Sequence, residues 1–244
     1  MSAFRTSRRE EGEMTVTRRL DLHHEILLLA LRDEQGVPES GSMYPHGLAG
    51  GILAELLLNE RIEVEQDRKK KFVRVRDRRP FGEPALDAAL LKIAAAKRRA
   101  TMQTWVMRLA TQNLKHVVAG ELCRRGILRA EEGKVLLIFT RKLYPELDPR
   151  PEAEIVQRLR RAIFSDDREL DPRTVILVSL GSSAGVLKNV FPKRDLKGRK
   201  ERIERIVNGE VTGKATREAI QATQAAVLVA AVMPAIIAST TVTH

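Results

Sequence analysis

Apolar positions along the chain gather first into two dense runs, and the elements they predict are helices followed by hairpins. Residues 26–31 read Ile-Leu-Leu-Leu-Ala-Leu; after a polar turn through Gly36 and an irregular loop to Tyr44, a second apolar run covers residues 47–58. That run stops at Asn59-Glu60-Arg61, and Ile62-Glu63-Val64 then alternates as a half-buried strand does. Gly50 and Gly51 stand inside the second helix, where each costs about 1 kcal/mol relative to alanine, so they point to another helix packed close against them. The polar stretch 65–71 and the alternating Phe72-Val73-Arg74-Val75-Arg76 complete a hairpin with a basic tip. Residues 80–84 read as a loop, followed by helical patterns through Leu86, Leu90 and Ile93 and then through Met102, Trp105, Val106 and Leu109.

Residues 113–139 repeat the opening arrangement. Leu114, Val117, Val118 and Leu122 form a helical face, Arg124-Arg125-Gly126 stops it, and Ile127-Leu128 begins a strand. Residues 131–134 are expected to turn and residues 135–139 to return. Beyond Pro151 the pattern is mainly helical: Ile155, Val156, Leu159 and Ile163 share a face, residues 175–190 form a helix or strand, and residues 203–207 and 219–238 form further helices. The class is mainly α with β-hairpins.

Two patterns invite a chemistry that their context does not support. Gly181-Ser182-Ser183-Ala184-Gly185 matches the G-x-S-x-G nucleophile elbow after the strand-like residues 175–178, but its flanks are not alternating strands and helices. The histidine that follows it is the terminal His244, a poor general base, so small residues at a helix contact are the expectation. His23-His24-Glu25 lacks the second histidine four residues on that a zinc helix requires and reads as a solvated helix start. No catalytic residue, cofactor motif or metal-ligand spacing emerges. The apolar run 225–238 falls short of the roughly 18 to 20 residues of a membrane span and is broken by Pro234, so a buried helix is expected there.

Composition narrows the partners. The chain has 244 residues, is 43% hydrophobic and carries a net charge of +11, which calls for an anionic partner, nucleic acid or an acidic membrane surface. Cys123 stands alone, which excludes an intramolecular disulfide and fits a reducing cytoplasm. Residues 1–19 are charged, lack the apolar core of a signal peptide and read as a flexible basic tail. The repeated helix and hairpin allow a winged-helix, DNA-binding reading. Against it, the first helix offers Gly, Ala and Leu where base edges need Arg, Asn or Gln, and near the second only Gln112, Lys115 and His116 qualify.

An ordered series of segments resembles the Golgi phosphoprotein 3 family. It comprises Leu20-Asp21-Leu22-His23-His24-Glu25-Ile26, Gly47-Leu48-Ala49-Gly50-Gly51, Gln103-Thr104-Trp105, Gly126-Ile127-Leu128, Leu170-Asp171-Pro172-Arg173-Thr174 and Asn189-Val190-Phe191. The resemblance implies a single globular helical domain over residues 20–240, with buried central helices and β-hairpins and with residues 181–185 in the core. It also implies a non-enzymatic, cytoplasmic protein, peripherally membrane-associated, that binds phosphatidylinositol 4-phosphate or another anionic lipid headgroup. Nucleic acid ranks below the membrane as partner, and self-association is open.

In the eukaryotic members the headgroup pocket uses a tryptophan, an arginine at the glycine-rich helix and two arginines on the helix before Gly-Ile-Leu. Here the tryptophan position falls near Ser40 or Gly41, the first arginine becomes Ala49, and the other two become Gln112 and Lys115. The candidate headgroup site is therefore Lys115 and Gln112 with Tyr44, His46 and Ala49, of which Lys115 keeps the charge. A lysine lacks the planar fork that arginine offers a phosphate, so attraction by charge is expected to outlast headgroup selectivity. The family's second hairpin carries an apolar tip that enters the bilayer, and the matching positions are Leu136, Leu137 and Ile138 with Phe139, next to Val135. These departures, with no long amino-terminal extension, resemble the bacterial branch of the family.

Overall fold

Nine consecutive residues of the first helix, α1 (Leu22–Ala30), are buried. A helix with no solvent face is a central element, and the others pack around it. The computed structural model describes residues 19–32, 36–38, 41–68, 70–135, 139–167 and 169–211. The amino-terminal tail, the carboxyl-terminal apolar run 225–238 and Leu136, Leu137 and Ile138 lie outside the described residues.

Without a break α1 passes into β1 (Leu31–Arg32), which pairs antiparallel with β2 (Val37–Pro38). The next helix, α2 (Tyr44–Leu58), has Pro45 in its first turn, where a missing amide hydrogen costs nothing. A Cβ on Gly51 would lie 2.9 Å from the backbone nitrogen of His23 and 3.0 Å from its Cα, so α1 and α2 meet backbone to backbone. A Cβ on Gly50 would lie 2.7 Å from Cδ2 of Leu180, on the far side. The glycines thus do what their positions predicted, letting α2 pass between two helices.

After α2 come β3 (Ile62–Asp67) and β4 (Lys70–Val75), an antiparallel hairpin, then α3 (Pro84–Ala94), β5 (Ala100–Thr101) and α4 (Met102–Leu109). The ladder runs further toward the tip than the alternation indicated, because Glu63 faces Arg74 and Asp67 faces Lys70, opposite charges that favour pairing. The two-residue β5 adds a third strand beside β4, and Thr101 then caps α4 by accepting from the Thr104 amide at 3.3 Å. A strand that short leaves no periodicity to read.

The second unit is α5 (Leu114–Arg124), β6 (Glu131–Val135) and β7 (Phe139–Leu143). Here the sequence reading needs correction. Residues 131–135 form the outgoing strand rather than a turn, and the return strand starts at Phe139. Pairing of Glu132 with Lys142 across the ladder favours this register, and Leu136, Leu137 and Ile138 fall between the two strands in sequence. Ile127 and Leu128 begin no strand; both are buried, and Leu128 makes a single bridge to Glu146.

The remaining helices are α6 (Arg150–Phe164), α7 (Pro172–Ala184), α8 (Leu187–Val190), α9 (Lys193–Gly198) and α10 (Lys200–Val207). Residues 175–184, undecided between helix and strand, are helical. Asp171 starts α7 by accepting from the Arg173 and Thr174 amides at 3.1 and 3.2 Å, and Gly185, at φ +70°, ends it. The Gly-Ser-Ser-Ala-Gly stretch is the last turn of a helix, and Ser183 Oγ donates to the Ser179 carbonyl at 2.8 Å. No strand leads into it, so the geometry of a nucleophile elbow is missing.

Gly51→Ala is expected to lower the stability read from urea unfolding by about 1–3 kcal/mol, because its new methyl meets backbone that cannot yield. Gly50→Ala meets a leucine methyl and should cost less. Equal stability of Gly51→Ala and the parent would show that α1 and α2 do not touch there.

Candidate functional site

Burying all of α1 places charged groups in the core, and the fold answers each from a neighbouring helix. His23, His24 and Glu25, expected to be solvated, are 0%, 0% and 1% exposed. They are buried because α5, α6 and α7 close over the start of α1 and bring partners that sequence spacing does not reveal. Glu25 pairs with Arg158 of α6 at 2.8 Å. Glu55 of α2 accepts from the Leu22 amide at 2.7 Å and from Arg173 at 3.0 Å, so it caps α1 while neutralising an α7 arginine. Glu121 of α5 plays the same part for α3, accepting from the Ala85 amide at 2.7 Å, and its other oxygen contacts His24 Nε2 at 2.9 Å. Burial, reinforced by the adjacent His23 ring, pushes the His24 imidazole down to about 3 despite Glu121.

The five residues of the expected headgroup site divide between α2 and the start of α5 with the turn before it, and the two helices pack together. Tyr44 and His46 open α2 and are half-buried; burial pushes the His46 imidazole below its ordinary value. Ala49, one turn on, is 0% exposed and has no surface to offer a ligand. Gln112 is exposed in the turn before α5, and Lys115, in its first turn, is only 9% exposed. His116 beside it bonds the Tyr144 hydroxyl through Nδ1 at 2.7 Å. Burial pushes the His116 imidazole down, and the charges of Lys115 and Lys142 push it further. Lys142, on the exposed part of β7, thereby acts on the same ring as Lys115, an influence that no sequence spacing indicated. For the membrane hairpin, Phe139 opens β7 opposite Val135.

A separate cleft of about 790 Å³ lies between α6 and the end of α5, lined by Arg124, Arg125, Arg158 and Arg161 with Glu25 and Glu83 among others. Arg125 and Glu83 pair at 2.6 Å. One of these residues carried a legible signal: Arg158 stands three positions after Ile155, next to the buried face of α6. So did Glu55 and Glu121, each a carboxylate at a core position of a helix.

Fold and charge together define a mainly helical protein with a strongly basic composition, in which no helix among the described residues is long and apolar enough to cross a membrane. The family profile of Golgi phosphoprotein 3 matches residues 22–223. The chain belongs to that family. It is similar to Vacuolar protein sorting-associated protein 74 of Schizosaccharomyces pombe, 27% identical over 220 residues, a match covering 77% of this chain and 65% of that protein.

Glu55→Gln keeps an oxygen for the Leu22 amide but leaves Arg173 without its counter-charge. A loss of about 3–5 kcal/mol is expected in chemical denaturation. A loss below about 1 kcal/mol would mean that the pair is not the tie between α2 and α7.

Proposed function

We propose that this chain is a peripheral, non-enzymatic protein that binds phosphoinositide or other anionic lipid headgroups at a membrane surface. Membership of the Golgi phosphoprotein 3 family over residues 22–223 carries the proposal. The charge supports it: a net +11, with exposed basic residues grouped along β4 and the segment after it, Lys70, Lys71, Arg74, Arg76, Arg78 and Arg79. Each such residue near an anionic leaflet contributes about 1 kcal/mol, weakened by salt. DNA binding through a winged helix fares worse, because α2 is buried from Gly47 to Leu56 and cannot enter a groove.

Selectivity follows from the site residues. With Ala49 buried and Gln112 neutral, Lys115 supplies the charge at the family's pocket positions, and Lys142 adds to the positive charge acting on the neighbouring His116 ring. Long-range attraction then dominates over bidentate recognition. Vesicles of phosphatidylserine and of phosphatidylinositol 4-phosphate, matched for total charge, should bind within about 1.4 kcal/mol of each other, one decade. Both should release the protein as salt rises, and Lys115→Ala should weaken both. A strong preference for the phosphoinositide at high salt would restore a specific pocket; retention by duplex DNA with no flotation would favour the nucleic-acid reading.

The second contact is the β6–β7 hairpin, where Leu136, Leu137 and Ile138 fall between the strands in sequence. Three consecutive apolar residues there exceed what one buried face of a ribbon needs. Leu137→Glu should abolish flotation with liposomes while leaving the melting temperature unchanged. A melting temperature lowered by many degrees would make Leu137 a core residue instead, and a stable variant that still floats would remove insertion from the proposal.

A further inference from the structure

We propose that the cleft between α6 and the end of α5 binds a small phosphorylated anion through the guanidinium groups of Arg124, Arg125, Arg158 and Arg161, at a site separate from Lys115. The cleft has a volume of about 790 Å³, within the range of roughly 300–1,000 Å³ that encloses small-molecule ligands. Its arginines come from two elements. Arg124 and Arg125 close α5, and Arg158 and Arg161 lie close to one turn apart on α6. Lys115 stands nine residues before Arg124 on the same helix, about 13 Å along its axis, so the two positive positions can be tested apart.

The acids that line the same cleft are already engaged. Glu83 accepts from Arg125 Nη2 at 2.6 Å, and Glu25 pairs with Arg158 at 2.8 Å. Asp148 takes two bonds from Arg150, each of 2.8 Å, and Glu154 acts on that same arginine. Arg19, which also borders the cleft, lies 3.6 Å from Asp171. Arg124 and Arg161 are exposed and have no ion-pair partner among the described residues. Their own helices supply none: three and four residues before Arg161 stand Arg158 and Gln157, and before Arg124 stand the buried Glu121 and Gly120. Nor does the end of α5 need its arginines as caps, because the Gly126 and Ile127 amides donate to the Cys123 and Leu122 carbonyls, both at 3.0 Å. Two positive charges in the cleft are therefore left without an answer from the protein.

That surplus matches a phosphomonoester, which carries about −1.5 to −2 charge at neutral pH. A guanidinium offers five donors in a rigid fork that fits phosphate oxygens, and a group with several such oxygens can be shared among arginines from two helices. Arg125 and Arg158 are prepared for this. Each is held by a carboxylate, with side chains 21% and 24% exposed, so less freedom is lost when an anion arrives than for an unanchored side chain. Leu20, Ile127 and Ile155 contribute apolar surface to the same cleft, where reduced contact with water strengthens a charged hydrogen bond.

The same phosphoryl chemistry can arrive as a soluble ester or as a lipid headgroup, and the test separates them. The full-length chain is titrated calorimetrically with inorganic pyrophosphate at physiological salt and, separately, floated with phosphatidylinositol 4-phosphate vesicles. Saturable uptake of a single equivalent is expected below about 1 mM pyrophosphate. The double variant Arg124→Gln, Arg161→Gln changes two exposed positions and should weaken uptake at least about 10-fold. Arg161→Lys keeps the charge without the fork and should weaken it as well. The double variant Lys193→Gln, Lys197→Gln removes the same charge from the exposed surface of α9 and should leave uptake unchanged. Flotation lowered by the arginine pair but not by the α9 pair would make the phosphoryl group a lipid's, and flotation equal in the two would make it a soluble ester's. No saturable uptake below about 1 mM, equal weakening by the two double variants, or uptake unchanged in either arginine variant would overturn the proposal. A parent chain that takes up pyrophosphate as described but never floats would count against the lipid reading alone.

Discussion

The interaction on which the rest of the structure depends is the capping of α1 from outside itself. A helix leaves its first amides without intrahelical partners, and at a surface water takes them. With α1 wholly buried, the Leu22 amide is met by Glu55, a carboxylate one helix away, and Glu55 is in turn held by Arg173 of α7. One buried charge therefore joins three helices, and the glycines of α2 bring the backbones near enough for it to reach. Glu121 repeats the device between α5 and α3. Such pairs add little net stability over an apolar core, but breaking one leaves an uncompensated charge, so they strongly specify which helices meet.

Charge is divided by function. Inside, Glu25 and Glu55 pair with arginines of other helices; outside, basic residues such as Lys70, Lys71, Arg74 and Arg76 face solvent. These have no role in the core, which leaves them free to act at long range on an anionic surface. On the proposed lipid reading, a general field would act before any specific contact forms, so few pocket residues would be required.

The cluster around His24 and the positive region around Lys115 both draw on α5 yet face different surroundings. Glu121 and Lys115 are both buried, but the first sits among imidazoles at the start of α1, whereas the second lies beside His116, on whose ring Lys142 of β7 also acts. The tie between α5 and α3 depends on Glu121, and the lipid reading depends on Lys115, so substitutions can separate the two.

Much of the fold was legible in residue order alone. Period-3.6 apolar stretches marked the long helices, and Gly50 and Gly51 announced a close helix contact, because these signals act within a few residues along the chain. The site was less legible. His23, His24 and Glu25 read as a solvated helix start because polar residues normally face water, and only the partners from α5 and α6 make their burial tolerable. The register of β6 and β7 and the two-residue strand β5 likewise depended on what lay opposite rather than on their own composition. Local periodicity determined which segments are helical; tertiary structure alone decided which charges are buried, because a charge can leave water only where a distant residue compensates it.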